Sequence, residues 1–390
     1  MLAVGLISGT SVDGIDAALV EITEQDEKLQ ARLIAGHTFN YDPNLRAEIL
    51  AVCAGEPRAI AQFCELDDRI AAAFAQAAIA IIEQNPQPSD SLADASRRKP
   101  NFIGSHGQTV FHRPPLGIEA SGKTTLGYSV QLGRGAVIAE LTGIKTISDF
   151  RVADIERGGH AAPLVPMLDW LLLTHATQNR ACQNIGGISN VCYLPASGAQ
   201  DLVFGFDNAP GNVLIDMATQ KLFNLPFDDS GQLASQGNFY LPLIESWLQQ
   251  EFFHTPPPKS TGRELFSPSY LEQCLEQCQQ AQLSNYDILA TLTEFTARAI
   301  ALSYRQFLPK FPDRVLLCGG GCRNRYLVER LRDLLAPAEV MSTDDAGVNA
   351  DFKEAIAFAV LGYLKLQKRL GNLPSVTGAK GSVELGRVYG

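Results

Sequence analysis

The stretch Gly9-Thr10-Ser11-Val12-Asp13-Gly14-Ile15-Asp16 lies where one apolar run, Leu2–Ile7, gives way to a second, Ile15–Ile22. Two apolar segments joined by a short glycine-bearing loop predict a β-hairpin. Glycines let the backbone turn tightly and approach a ligand closely. Successive N–H groups and hydroxyls make an anion cradle. Asp13 is the candidate Mg²⁺ ligand beside phosphates, directly or through water. The same residue types also build an ordinary turn, so the loop alone leaves both readings open.

The pattern returns at Asn184-Ile185-Gly186-Gly187-Ile188-Ser189-Asn190, again between apolar strand-like runs, Ala181–Asn184 and Asn190–Leu194. A plain hairpin with a Gly-Gly turn is the alternative there. A third glycine loop, Gly319-Gly320-Gly321-Cys322-Arg323-Asn324, follows the apolar strand Arg314–Cys318 and precedes a helix from Asn324. Bare backbone at a helix start suits a flat or anionic ligand. A Rossmann fingerprint needs glycine at the sixth position, where this chain has Asn324. The segment therefore reads as an adenosine-contacting loop or a tight strand–helix turn.

Between these loops the periodicity predicts helices over Ile70–Ile82, Gly133–Thr142, Leu168–His175, Gly211–Phe223, Asp287–Phe307 and Lys353–Leu370. Strands are expected at Asn101–Gly104, Ile144–Ile147 and Leu202–Phe206, and loops at Gln87–Lys99 and Asp149–Pro166. A strand–glycine loop–strand unit thus opens an α/β segment twice. This predicts two similar α/β domains with a cleft between them. The expected bounds are 1–150 and 151–390, with the last helix, about 353–370, free to pack back on the first domain.

Phe206-Asp207-Asn208-Ala209-Pro210-Gly211-Asn212 brings a carboxylate to an expected strand end. That position suits a general base in an α/β protein, and a helix-capping Asp is the alternative. His106, in Ser105-His106-Gly107, is a site candidate near another expected strand end, or a structural histidine. Gly117-Ile118-Glu119-Ala120-Ser121-Gly122-Lys123-Thr124 has the letters of a P-loop. The mechanism needs a strand before it and a helix after it. Arg113-Pro114-Pro115 precedes it and Thr125-Leu126-Gly127-Tyr128 follows, so a surface loop is expected instead. No Gly-x-Ser-x-Gly elbow is present, which argues against a serine hydrolase.

Composition narrows the class. The chain has 390 residues, 46% of them hydrophobic, enough for two buried cores. Its 42 acidic and 32 basic residues give a net charge of −10, so counterion release offers no affinity for nucleic acid. No basic amphipathic helix suits a membrane surface, and no apolar run reaches spanning length. Met1–Ile7 carries no Lys or Arg and stops at Ser8, unlike a signal peptide, so a cytoplasmic place is expected. Cys274 and Cys278, like Cys318 and Cys322, are four apart. Zinc pairs more often show a two-residue gap with His nearby, so buried or idle thiols are expected.

Together Gly5–Asp16, Gly104–Thr109, Ser148–Pro166, Asn184–Asn190, Phe206–Asp216, Leu317–Asn324 and Glu354–Leu361 resemble the anhydro-N-acetylmuramic acid kinase family. They match in the family's order and over nearly the whole chain. The resemblance implies an actin-like fold of two similar ribonuclease H-like domains with ATP in the interdomain cleft. It implies transfer of the ATP γ-phosphate to O6 of 1,6-anhydro-N-acetylmuramic acid while water opens the ring at C1. The products are N-acetylmuramic acid 6-phosphate and ADP, in bacterial cell-wall recycling.

On this carry-over Asp207 activates the water, and the residues from Gly9 to Asp16 bind ATP phosphates. Gly186, Gly187, Gly319, Gly320 and Asn324 complete the nucleotide site. Glu354 matches a family substrate-site carboxylate, Arg151 and Asp154 would reach the sugar or its lactyl carboxylate, and His106 is a further substrate-site candidate. The loops 87–99 and 114–128 are longer than the family usually carries. Expected partners are ATP, Mg²⁺ and the small-molecule sugar, with no nucleic acid and no membrane. A homodimer is left open. Rival readings on the same fold are a kinase of another sugar hydroxyl, a non-catalytic sugar or nucleotide sensor, and a chaperone or polymer-forming ATPase.

Overall fold

Every residue of β1, Leu2–Ser8, is buried. A strand covered on both faces reads as a continuous apolar run, which is how Leu2–Ile7 reads. The computed structural model describes residues 1–9, 11–26, 28–85, 99–115, 125–262 and 264–390. Thr10, the P-loop-like 117–124, and nearly all of the expected loop 87–99 lie outside the described residues. The chain divides into two units, Met1–Leu172 with Phe352–Gly390, and Leu173–Asp351.

In the first unit β1 is followed by β2 (Ile15–Gln25) and β3 (Lys28–Phe39), an antiparallel meander. On its other edge β1 pairs in parallel with β4 (Phe102–Arg113), and a short β5 (Tyr128–Leu132) folds back on β4. β6 (Thr146–Ser148) runs parallel to β4. In the second unit β7 (Arg180–Ile185), β8 (Ser189–Leu194) and β9 (Phe204–Ala209) repeat the meander. β10 (Arg314–Cys318) and β11 (Glu339–Ser342) add parallel strands on the β7 side. β12 (Arg387–Tyr389) returns to the first sheet beside β6. With β5 and β12 set aside, both sheets order their five strands 3-2-1-4-5. This repeated order gives the two similar α/β sheets that the glycine hairpins predict, in the actin-like, ribonuclease H-like arrangement that the family resemblance implies.

Helices cover the sheets through apolar stripes. The helix Ile60–Gln84 buries Leu66, Ile70, Phe74, Ala77, Ala78 and Ile81, a helical spacing. It is longer than the expected Ile70–Ile82, because Gln62, Glu65 and Asp68 belong to the outer face of one amphipathic helix, while the partly buried Asp67 accepts from Gly133 N–H at 2.6 Å. The loop expected over Asp149–Pro166 contains a short helix, Val152–Glu156. The strand expected at Leu202–Phe206 starts and ends later. A 3-10 turn takes Gln200–Leu202, and β9 runs on through Asp207 and Asn208 to Ala209. Likewise β4 continues past His106 to Arg113, so His106 is mid-strand rather than at a strand end. No helix among the described residues is long and apolar enough to cross a membrane.

The helix Lys353–Leu366 lies on β1, β2 and β4. Gly5 of β1 and Gly104 of β4 are register partners. A Cβ on Gly5 would run into the carbonyl of Ala355, and one on Gly104 into the carbonyl of Phe358. The two glycines form a flat patch on which the helix backbone rests directly. Gly104→Ala, which fits β4 in backbone terms, should therefore lower stability by about 1–3 kcal/mol through overpacking. Urea unfolding checks this, and a midpoint equal to wild type would show that the helix does not depend on the patch.

Candidate active site

The loop after β1 is held from several sides. Val12 N–H donates to Gly9 O at 3.2 Å, and Gln108 Nε2 donates to the same carbonyl at 3.2 Å. Tyr41 OH donates to Gln108 Oε1 at 3.3 Å. Val12 is fully buried yet holds φ +56°. A β-branched residue in that region is strained by about 1–3 kcal/mol, a cost tolerated where surroundings over-determine the turn. Arg46 helps determine it: its Nε donates to Val12 O at 2.8 Å and its Nη2 meets Asp13 Oδ1 at 3.2 Å. Asp13 keeps 71% of its side-chain surface exposed. Asp16 accepts from Thr38 Oγ1 at 2.6 Å. A Cβ on Gly9 would have Ser11 Oγ as its nearest neighbour, at 4.0 Å, so that side of the loop is open.

A second cluster lies in the same unit. His106 is buried on β4 with Nδ1 3.2 Å from Gly107 O, and its Nε2 accepts from Arg151 Nε at 3.0 Å. These partners require a neutral ring with the proton on Nδ1. Burial, then the Arg151 charge, hold the His106 pKa well below the usual histidine range. The ring lies against Phe358, with centroids 4.5 Å apart. Arg151 Nη1 donates to Ser129 Oγ at 3.2 Å and lies 3.4 Å from His112 Nδ1. Burial lowers the Arg151 pKa to about 10, and the Glu354 charge acts against that shift. His112 is pushed down to about 4 by burial, then by Arg151 and His160.

Glu354, in the first turn of the helix Lys353–Leu366, is half-buried. Its pKa is raised by burial and then by Asp16, against the pull of Lys353 and Arg151. Beside it Lys353 Nζ and Asp169 Oδ1 form a buried ion pair at 2.7 Å. The first unit therefore carries together His106, Arg151, Glu354 and Asp16, two polar sets linked by charge.

Asp154 has a different place. It is fully buried. Oδ2 accepts from Ala161 N–H at 2.8 Å, and Oδ1 accepts from Asn372 Nδ2 and Thr377 Oγ1, each at 2.7 Å. It ties the 159–161 turn to the 372–377 segment and presents no exposed oxygen to a sugar.

In the second unit three glycine segments nest. The carbonyls of Gly186 and Gly187 accept from Asn212 N–H at 2.9 Å and Val213 N–H at 3.1 Å, at the start of the helix Val213–Phe223. Asn212 Nδ2 donates to Ile185 O at 3.0 Å. Gly211 has φ +63°, and a Cβ there would press on the Gly187 carbonyl. Gly319, at φ +78°, packs against Asn184 and Ile185. Gly187 and Gly320 differ: a Cβ on Gly187 would meet nothing within 4 Å, and one on Gly320 only Asn212 Nδ2 at 3.9 Å. Internal packing does not explain glycine at those two positions. Asn324 is buried and caps the helix Arg325–Leu335, its Oδ1 accepting from Leu327 N–H at 3.0 Å.

Asp207 sits within β9, opposite Asn190 of β8. It is not a helix cap, since the next helix begins at Val213. Its backbone N–H donates to Lys259 O at 3.2 Å, and its Oδ2 accepts from Thr261 N–H at 2.9 Å. Burial raises its pKa to about 6; the Thr261 N–H opposes the shift and the Glu264 charge adds to it. A half-buried carboxylate titrating there is suited to take a proton near neutral pH. The neighbouring Asn208 is buried and bonded to Gln183 and Ser303, at 3.0 and 3.1 Å.

Sequence reading missed Arg46, Ser129, Lys353 with Asp169, and the Lys259–Thr261 segment. Each meets its target only through the tertiary fold; Thr261 lies 54 residues from Asp207. A lone lysine in Pro256-Pro257-Pro258-Lys259-Ser260-Thr261-Gly262 is the only sequence signal for the last. No group of three or more His, Cys, Asp and Glu suited to hold a metal occurs among the described residues.

The model of the family described as anhydro-N-acetylmuramic acid kinase matches residues 1–390. The chain is 54% identical over 394 residues to the anhydro-N-acetylmuramic acid kinase of Rippkaea orientalis (strain PCC 8801 / RF-1), covering 100% of this chain and 99% of that one. It is 53% identical over 391 residues to that of Trichormus variabilis (strain ATCC 29413 / PCC 7937), covering 99% and 96%. It is 52% identical over 395 residues to that of Microcystis aeruginosa (strain NIES-843 / IAM M-2473), covering 100% of both. With agreement of this depth from end to end, the chain belongs to the anhydro-N-acetylmuramic acid kinase family.

Proposed function

We propose that this chain is an ATP-dependent kinase of 1,6-anhydro-N-acetylmuramic acid, with Asp207 as general base. Water adds to C1 of the sugar and gives its proton to Asp207. The C1–O6 bond breaks, O6 takes the γ-phosphoryl group, and ADP leaves. N-acetylmuramic acid 6-phosphate is the other product. Opening an internal acetal needs a base for water on one face and a sink for the leaving oxygen on the other. The phosphoryl group is that sink, so no separate general acid is needed. The reaction uses ATP and belongs to cell-wall sugar recycling in the cytoplasm.

The observation that carries this reading is Asp207: a half-buried carboxylate with a pKa of about 6, gripped by Thr261 N–H, in a chain matched by the family end to end. The roles follow the local chemistry. The Gly9–Asp16 turn, including Thr10, cradles phosphates; its open Gly9 face and the strained, braced Val12 support this. Gly186, Gly187, Gly319 and Gly320 receive nucleotide against bare backbone, with Gly187 and Gly320 left open for it. Asn324 acts there as the cap that shapes the loop. Arg151, whose Nε–H is held by the neutral His106, offers its remaining donors to the sugar's oxygens and carboxylate, and Glu354 accepts from a hydroxyl. Asp154 acts indirectly, by tying the Val152–Glu156 helix, which follows Arg151, to Ala161, Asn372 and Thr377.

Mg²⁺ is bound in such kinases by one or two carboxylates together with the phosphates themselves. The exposed Asp13 beside Arg46 fits that sparse ligand demand, and the ion would neutralise charge on the phosphates.

Replacing Asp207 by Asn keeps size and much of the polarity but removes the base. The Asp207→Asn variant should lose about 10²–10⁴ in turnover, while ATP affinity stays close to wild type. Product analysis by mass spectrometry with ¹⁸O water, alongside nucleotide binding, measures both. Near-normal turnover in this variant would remove Asp207 from the mechanism.

The pKa also sets a pH dependence. The base works as the carboxylate, so activity is present above the Asp207 pKa of about 6 and is lost as pH falls through it. The kcat/KM profile, which reports the free enzyme, should bend near pH 6 and drop about tenfold per unit below it. A profile level from pH 5 to pH 7 would contradict this.

A further inference from the structure

The segment that grips Asp207 is itself anchored by one side chain. Lys259 projects its ammonium into an aromatic cage, 4.6 Å from the Phe307 ring centroid, 4.7 Å from Phe252 and 5.8 Å from Phe206. Its Nζ donates to Phe252 O at 2.8 Å. A cation over ring faces is held more strongly when desolvated. Burial, though only partial, lowers the Lys259 pKa to about 8. The cage walls come from three elements: Phe206 from β9, Phe252 from the short helix Glu251–His254, and Phe307 from the end of the helix Asn285–Phe307. Phe206 precedes Asp207 directly in the chain.

The backbone of the same segment contacts Asp207 twice. Lys259 O accepts the Asp207 N–H at 3.2 Å, and two residues on, Thr261 N–H donates to Asp207 Oδ2 at 2.9 Å. A strap lies along β9 with one contact on the backbone of Asp207 and one on its carboxylate. On the far side the strap is held by backbone, Gly262 O accepting from Leu265 N–H and Phe266 N–H at 3.3 Å each, while on the near side Pro256, Pro257 and Pro258 lack N–H donors.

We infer that Lys259 is a positioning residue for the reaction: its caged ammonium pins the 259–262 strap so that Thr261 N–H fixes the carboxylate of Asp207. The inference rests on Asp207 being the base. In this role Lys259 acts through the geometry of Asp207, where a displacement of about 1 Å can remove up to 10²-fold in rate.

The test compares Lys259→Met, which keeps the apolar stem and removes the charge, with Lys259→Arg, which keeps a cation for the rings. Asp207→Asn is measured beside them, and thermal unfolding verifies folding. In Lys259→Met turnover should fall on the order of tenfold, with the KM for ATP within twofold of wild type. The acid limb of its kcat/KM profile should move to higher pH, because the Thr261 N–H that holds the Asp207 pKa down is loosened. Lys259→Arg should keep at least half of wild-type turnover. If Lys259→Met does not fold, Phe307→Leu, which takes away one wall of the cage, should give the same upward movement of the acid limb.

Turnover in folded Lys259→Met within twofold of wild type, or an acid limb that stays in place, would overturn the positioning role. An active Asp207→Asn would instead overturn the general base. The two failures are thus read from different variants.

Discussion

The first unit depends on a contact between backbones with no side chain between them. Gly5 and Gly104 stand side by side on parallel strands, and the helix Lys353–Leu366 rests on them at Ala355, Phe358 and Ala359. A third glycine, Gly362 on the helix itself, leaves room for the Phe102 ring and the Gly104 Cα. Helix and sheet normally keep a side-chain layer between them; here that layer is removed along one line. As a result Phe358 reaches the ring of His106, and Glu354 and Lys353 stand at the level of Arg151 and Asp169. A segment more than two hundred residues later in the chain is thereby built into the first sheet.

The second unit uses glycine in the same way at a different scale. Gly211, Gly319 and Gly321 let the 184–188 hairpin turn, the start of the helix Val213–Phe223 and the β10 exit approach one another to hydrogen-bonding distance. Those three glycines are explained by protein packing. Gly187 and Gly320, on the same loops, are not. Sorting glycines by what a Cβ would meet separates those that shape the loops from those that leave space beside them.

The hairpins were legible because their signal is local: an apolar run, a glycine loop, an apolar run. Their recurrence gave the two-fold plan, and the shared 3-2-1-4-5 strand order bears it out. Element bounds were less legible where polarity misled. His106 and Asp207 looked like residues at strand ends because polar or glycine residues follow them, yet both strands continue, with the polar side chains bonded inside the fold. The supports of the site were not legible at all. Arg46 reaches Val12 across 34 positions, and Asn372 reaches Asp154 across 218. Nothing in the local pattern of either partner encodes such a meeting.

Asp154 and Asp207 show what the fold adds to a residue type. Both are aspartates next to apolar residues, and from sequence each was a candidate for the site. Asp154 is enclosed by three donors from two segments, so its charge is spent on joining them. Asp207 is half-buried and receives the Thr261 N–H on one oxygen, with Glu264 adding like charge nearby. Hydrogen bonds stabilise a carboxylate's charged form, while burial and like charge oppose it. The balance at Asp207 falls on the side of burial, which places its proton affinity near neutrality. A base must be able both to hold and to release a proton at working pH; if Asp207 is that base, the capacity comes from burial outweighing the Thr261 donor, so the strap that supplies this donor is the part of the scaffold that sets it.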